Sequence, residues 1–144
     1  MLELPYIFNR EDATNPDKAH DGDAGIDLFS THDQILYLGD TTTINTGLIF
    51  GIPVGYCGFI LPRSSMGKRG IVIPNSPGLI DSGYRGEIKV LLLNLSNEIY
   101  RVKKGDKIAQ LVIVRHEQIT PQKVDELPPS FDNRGVGGFG SSGK

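Results

Sequence analysis

Apolar positions in this chain fall into short runs cut by glycine, proline, asparagine and aspartate, and none of the runs carries a long helical stripe. Residues 41–50 form an extended run closed by Gly51-Ile52-Pro53. Further runs cover 56–61, 70–73, 87–95 and 108–114. They are rich in Val, Ile, Leu and Tyr and bounded by turn-forming residues, which reads as strands. The nearest helical candidate is Ser65-Met66-Gly67-Lys68-Arg69-Gly70, one turn at most. The pattern predicts an all-β barrel or sandwich. Residues 1–120 are expected to form the body. Residues 121–144, with Pro121, Pro128-Pro129 and a glycine-rich end, read as an arm leaving it. Leu91-Leu92-Leu93, extended by Val90 and Leu95, is apolar on both faces of one strand. Such a strand needs cover on its second face, from a neighbouring subunit or from a second sheet.

The remaining composition narrows the field. A formal net charge of −2 argues against a general nucleic-acid surface, which would carry clustered Lys and Arg. Cys57 is alone, so no internal disulfide forms and a reducing compartment is expected; a small buried apolar role suits it. Glu3, Arg10, Glu11 and Asp12 interrupt any apolar leader, and no window is long enough to cross a bilayer. A soluble cytoplasmic protein, with neither nucleic acid nor membrane as partner, is the expectation.

Four internal segments put polar groups where a plain β-barrel has no use for them. In Asp23-Ala24-Gly25-Ile26-Asp27-Leu28, Asp27 sits between apolar neighbours; it is either a hydrated-Mg²⁺ carboxylate or a strand-start or turn aspartate. Pro62-Arg63-Ser64-Ser65-Met66-Gly67-Lys68-Arg69-Gly70 supplies an arginine, two hydroxyls and glycines at a strand end. That is phosphate-binding chemistry or a solvated basic turn. It is not a Walker A loop, because Arg69 follows Lys68 where Ser or Thr is required.

The third segment runs from Asn75 to Ile88. Asp81 follows Gly78-Leu79-Ile80 and is expected to be partly desolvated, with Tyr84 three positions on. An aspartate that positions water beside a ring that packs on a sugar would make a hydrolytic centre; an Asx turn with an exposed tyrosine is the plainer alternative. In the fourth, Lys104-Gly105-Asp106 reads as a turn and Gln110 interrupts an apolar strand. Its amide needs partners, whether a ligand phosphate, an ordered water or a backbone group. His20, His32 and His116 have no metal-ligand spacing, so a zinc site is not expected.

The end of the chain, Arg134-Gly135-Val136-Gly137-Gly138-Phe139-Gly140-Ser141-Ser142-Gly143, places a phosphate-matching fork and a flat ring among glycines. It reads as a lid for a nucleotide. Gly135, Gly137 and Gly140 match G-x-G-x-x-G, but only four residues follow Gly140, so the helix and acidic partner of a dinucleotide fold have no room.

These five segments, in this order, resemble the five motifs of the trimeric dUTP pyrophosphatase (dUTPase) family, from about residue 23 onward. One departure is Gly83, where many relatives carry a second aspartate. The resemblance implies a β jelly-roll homotrimer with three shared active sites. Motifs one, two and four would come from one chain, motif three from a second and the arm from a third. The implied reaction is dUTP plus water giving dUMP and pyrophosphate, with Mg²⁺ on the triphosphate. It implies Asp81 as the base that orients and deprotonates the attacking water. Arg63, Ser64, Ser65, Gly67, Gln110, Arg134 and Gly140 would surround the phosphates and Asp27 would reach the metal through water. Tyr84 would pack on the deoxyribose. Backbone groups between Leu79 and Lys89, including Ile80, would read uracil together with Asn75 and Gly78, and Phe139 would stack on the base.

Overall fold

Eleven strands and one helical turn make up the described residues, 2–132, 135 and 136, of this computed structural model. In chain order the strands are β1 (Tyr6–Phe8), β2 (Gly25–Phe29), β3 (Gln34–Leu36), β4 (Thr41–Asn45), β5 (Leu48–Phe50) and β6 (Tyr56–Leu61). The turn α1 (Ser64–Gly67) follows, then β7 (Ile71–Val72), β8 (Gly78–Ile80), β9 (Lys89–Asn94), β10 (Tyr100–Val102) and β11 (Lys107–Arg115). The long apolar runs at 56–61 and 108–114 became β6 and β11. The run at 41–50 became two strands, because Gly47 breaks it at φ +70° and a Cβ there would press on Ala13 at 2.7 Å.

All strand pairs are antiparallel. The largest sheet has the order β2-β11-β6-β8, a second has β4-β9-β7, and two-stranded ribbons join β1 to β5 and β10 to β3. Their inner faces share one core. Leu28, Leu36, Ile44, Leu48, Ile60, Val90, Leu92, Val102, Ile108 and Leu111 come from eight different strands and are all buried. The molecule is therefore all-β, of the barrel or sandwich type that alternation predicts. Strand β9 puts Val90, Leu92 and Asn94 in the core. Its second face carries Leu91 and Leu93, which stay half-buried opposite Thr43 and Thr41. Among the described residues no second sheet fully covers that face. After β11, residues 117–132 are exposed and form no regular element.

Candidate active site

Two clusters of polar groups stand on the four-stranded sheet. The first is built where β2, β11 and the end of β6 meet. Asp27 lies directly opposite Gln110, and Gln110 directly opposite Leu61, so one row crosses three strands. Asp27 is thus a mid-strand residue and not a turn aspartate. Its side chain is 15% exposed and carries two cations: Lys107 Nζ at 2.6 Å from Oδ2 and Arg63 Nε at 3.2 Å from Oδ1. Lys107 Nζ also lies 5.7 Å from the Phe29 ring centroid, within cation–π reach. One carboxylate against two cations leaves an excess positive charge, held in place by that carboxylate.

Lys107 is the functional candidate that sequence reasoning missed. Alternation separates residues three apart, yet Lys107 and Gln110 share the outer face. The register shifts between Lys107 and Ala109, and Ile108 and Ala109 are both buried. A bulge of this kind re-aims a side chain, and nothing in the sequence marks it apart from two consecutive core-sized residues.

Gln110 Nε2 donates to Pro62 O at 2.9 Å, so a backbone carbonyl satisfies the amide that interrupts β11. The oxygen end of that amide lies over Gly25, two residues before Asp27 on β2, where a Cβ would overlap Gln110 Oε1 and push the amide aside. The amide braces the corner from which Arg63 departs. There the chain turns into α1, whose first residues, Ser64 and Ser65, are exposed. No side chain caps this end, so its first N–H groups have no partner inside the turn. Met66 anchors the turn in the core, 4% exposed, with Gly67 at its surface end. Arg63, Ser65, Arg69, Tyr100, Asp106 and Lys107 line a depression of about 410 Å³. Three basic side chains against the one carboxylate of Asp106, with hydroxyls beside them, form an anion receptor of net positive charge.

The second cluster is the hairpin-shaped bend after β8, a strand that pairs with β6 while the next strand, β9, lies in the other sheet. Asn75 is exposed and its amide packs against Gly78, where a Cβ would stand 3.3 Å from Nδ2; the intervening Ser76-Pro77 bond is cis. Gly78, Leu79 and Ile80 form β8 against Ile60, Phe59 and Gly58. The chain then turns, with Tyr84 N donating to Asp81 O at 3.0 Å. Arg85 Nη1 staples the turn by donating to Ser82 O and Tyr84 O at 2.7 and 2.8 Å. Tyr84 folds its ring over Gly86, where any Cβ would collide with it, and its hydroxyl donates to Glu87 O at 3.1 Å. Asp81 was expected to be partly desolvated; in this chain it is exposed, because it lies beyond the end of β8 where nothing packs over it. Lys89 is exposed at the start of β9, opposite Asn45. Arg134, Phe139 and Gly140 lie outside the described residues.

The two clusters are apart within one chain. Continuing the β8–β6 register by one position sets Asp81 level with Cys57, while Arg63 lies beyond the other end of β6. Relative to Asp27, Asp81 is displaced about 13 Å along the strands and about 14 Å across them, at ordinary strand dimensions.

The donor set bears on a divalent cation. No group of three His, Cys, Asp or Glu that could hold a metal occurs among the described residues, and both Asp27 oxygens already face cations. The described residues therefore offer no cage. An Mg²⁺ ion brought by phosphates, touching Asp27 through water at most, fits this arrangement, because Mg²⁺ keeps much of its water and takes few protein ligands.

Comparison with known proteins agrees with the geometry. The sequence model of the dUTPase family matches residues 11–143. A deoxyuridine 5'-triphosphate nucleotidohydrolase of Thermobifida fusca (strain YX) is 48% identical over 130 residues, covering 89% of this chain and 72% of that protein. One from Clostridium tetani (strain Massachusetts / E88) is 46% identical over 136 residues, covering 94% and 92%. The Staphylococcus bacteriophage 80alpha dUTPase solved with dUPNHPP superposes with a TM-score of 0.90 at 31% identity, over all of both chains. A dUTPase from phage phi11 of S. aureus, described as coordinating a structural Mg(II) ion, superposes with a TM-score of 0.80 at 28% identity, over 87% of this chain and 98% of that one. Matched along almost its whole length by the family's sequence model, and folded as those enzymes are, this chain belongs to the dUTPase family.

Proposed function

We infer that the chain hydrolyses dUTP to dUMP and pyrophosphate. The carrying observation is the cluster of Asp27, Arg63 and Lys107 beside the uncapped turn α1, in a chain of the dUTPase family. An anion receptor of this kind suits a triphosphate, whose charge it neutralises while the phosphorus is attacked. Water attacks the α-phosphorus, the bond from it to the bridging oxygen breaks, and pyrophosphate leaves with that oxygen. Asp81 orients the water and takes its proton. Asp27 would reach a phosphate-borne Mg²⁺ through water, and that ion would supply charge neutralisation on the triphosphate. Arg63, Ser64, Ser65 and the N–H groups around Gly67 hold the phosphates. Gln110 holds the Pro62–Arg63 corner, with its second amide N–H left for an oxygen.

The hairpin of β8 takes the nucleoside. Its backbone carbonyls and N–H groups pair with the uracil edge; cytosine reverses both partners and leaves buried groups unpaired. Asn75 and Gly78 border that edge. Tyr84 lies against the deoxyribose and fills the space a 2′-hydroxyl would take. From the arm, Arg134 and Gly140 close on the phosphates and Phe139 stacks on the base, a lid that excludes water during the reaction.

The separation of the two clusters supports assembly from several copies, since a triphosphate is far shorter than the gap between them. A homotrimer meets that need, with Leu91 and Leu93 on the half-buried face of β9 turned toward a neighbour. A dCTP deaminase on a similar fold is the competing reading; it would release ammonia from dCTP. The test is incubation with dUTP, dCTP, dTTP and UTP in the presence of Mg²⁺. Pyrophosphate from dUTP alone is expected, and ammonia from dCTP would overturn the reading.

A further inference from the structure

Resting on the hairpin as the deoxyribose pocket, we propose that Glu87 is a positioning residue for sugar selection. Docked on the turn between β4 and β5, it fixes the carbonyl against which the Tyr84 hydroxyl is held. Tyr84 is 45% exposed, so core packing alone does not immobilise its ring. Two contacts do: the bare Cα of Gly86 beneath it and the hydrogen bond to Glu87 O at 3.1 Å. A ring that excludes one hydroxyl by contact discriminates only as firmly as it is held.

The Glu87 peptide is held from behind. Glu87 Oε1 accepts from the buried Gly47 N–H at 2.8 Å, and Oε2 accepts from Asn9 Nδ2 at 3.4 Å. The next residue is fastened to the same turn: Ile88 N donates to Leu48 O at 2.8 Å, and the fully buried Thr46 Oγ1 donates to Ile88 O at 2.6 Å. Gly47 takes its left-handed φ of +70° with Ala13 packed where a Cβ would be. The turn is therefore packed and hydrogen-bonded on its core side, independently of the hairpin. Arg10, whose pKa is raised chiefly by its hydrogen bond to Asp12, also lies in the field of Glu87. The carboxylate is thus the link from a rigid core turn to an exposed ring.

The experiment measures kcat/KM for dUTP and UTP, with thermal midpoints, in wild type, Glu87→Ala, Glu87→Gln, Tyr84→Phe and the double variant Glu87→Ala/Tyr84→Phe. Glu87→Ala is expected to lower the dUTP/UTP ratio by about tenfold or more, the low end of what one misfitted pocket group is worth. The change should arise mainly from better use of UTP. Glu87→Gln, which keeps an oxygen for Gly47 N–H, should hold the ratio within about threefold by the same measure. Tyr84→Phe should lower the ratio and add little to Glu87→Ala, as two members of one unit do. An unchanged ratio in folded Glu87→Ala or in Tyr84→Phe, or full additivity of the two, overturns the proposal. If Glu87→Ala does not fold, Glu87→Asp, too short to span Gly47 and Asn9 together, carries the same reading. A wild type without preference for dUTP defeats the functional reading itself and this inference with it. A wild type that prefers dUTP beside unchanged variants defeats this inference alone.

Discussion

Asp81 and Asp27 are both carboxylates on one sheet, but their surroundings assign them different work. Asp27 faces two cations at 2.6 and 3.2 Å, so its charge is spent inside the protein and its effect is to keep Arg63 and Lys107 in place. Asp81 stands exposed at a hairpin tip, with its oxygens left for water. Asp81→Asn is expected to keep the fold and to lose about 10²–10⁴-fold in turnover, the usual contribution of a general base. Steady-state kinetics within about threefold of wild type, below that range, would remove Asp81 from the role. Lys107→Met tests the other cluster. It keeps the apolar stem over Phe29 and deletes one of two cations. A charge-assisted hydrogen bond is worth about 1.5–3 kcal/mol, so kcat/KM should fall by roughly 10–150-fold. An unaltered value would show that Lys107 serves only to brace Asp27.

At the scale of elements, Asn94 shows how a buried polar side chain organises strands. It has no exposed surface; Nδ2 donates to Leu36 O at 3.0 Å and Glu98 O at 2.8 Å. Oδ1 accepts from Ser96 N and Ser96 Oγ at 3.0 and 2.7 Å. It thereby ties β3 to β9 and shapes the turn toward β10. Asn94→Ala strands the buried Leu36 O at about 1–3 kcal/mol and loosens the Ser96–Glu98 turn, and a lower denaturation midpoint by calorimetry is expected. Retention of the wild-type midpoint would show that water replaces the amide. Sequence patterning finds β6, β9 and β11 because their apolar runs are long enough to declare a strand. It does not find β1, β3, β8 and β10, each three residues long, whose strand character comes from partners distant in sequence. The site divides the same way. Residues inside contiguous motifs, such as Arg63, Asp81 and Tyr84, are legible. Lys107 is hidden because a bulge sets its direction, and Glu87 because its role depends on a turn 40 residues away.

For the whole molecule, the decisive property of the proposed site is that its two halves lie apart on the β2-β11-β6-β8 sheet of one chain. Light scattering is expected to report a trimer at micromolar concentration; a monomer would end the shared-site account. Mixing tests the account more sharply. Arg63→Ala and Asp81→Asn chains should each be nearly inactive alone. Refolded together they should regain activity, because some sites then draw an intact phosphate cluster from one chain and an intact hairpin from the other. Silence of the mixture would place both halves in one chain.

The span of β6 between those half-sites also has a genetic reading. A chain bearing Arg63→Ala or Asp81→Asn alone, diluted into an equal pool of wild type, should leave about half of all sites intact. A chain bearing both damages two sites wherever it assembles, and random mixing leaves only about one quarter with both contributors sound. The doubly altered chain should therefore act as a dominant poison, and the curvature of activity against dose counts the chains that build each site.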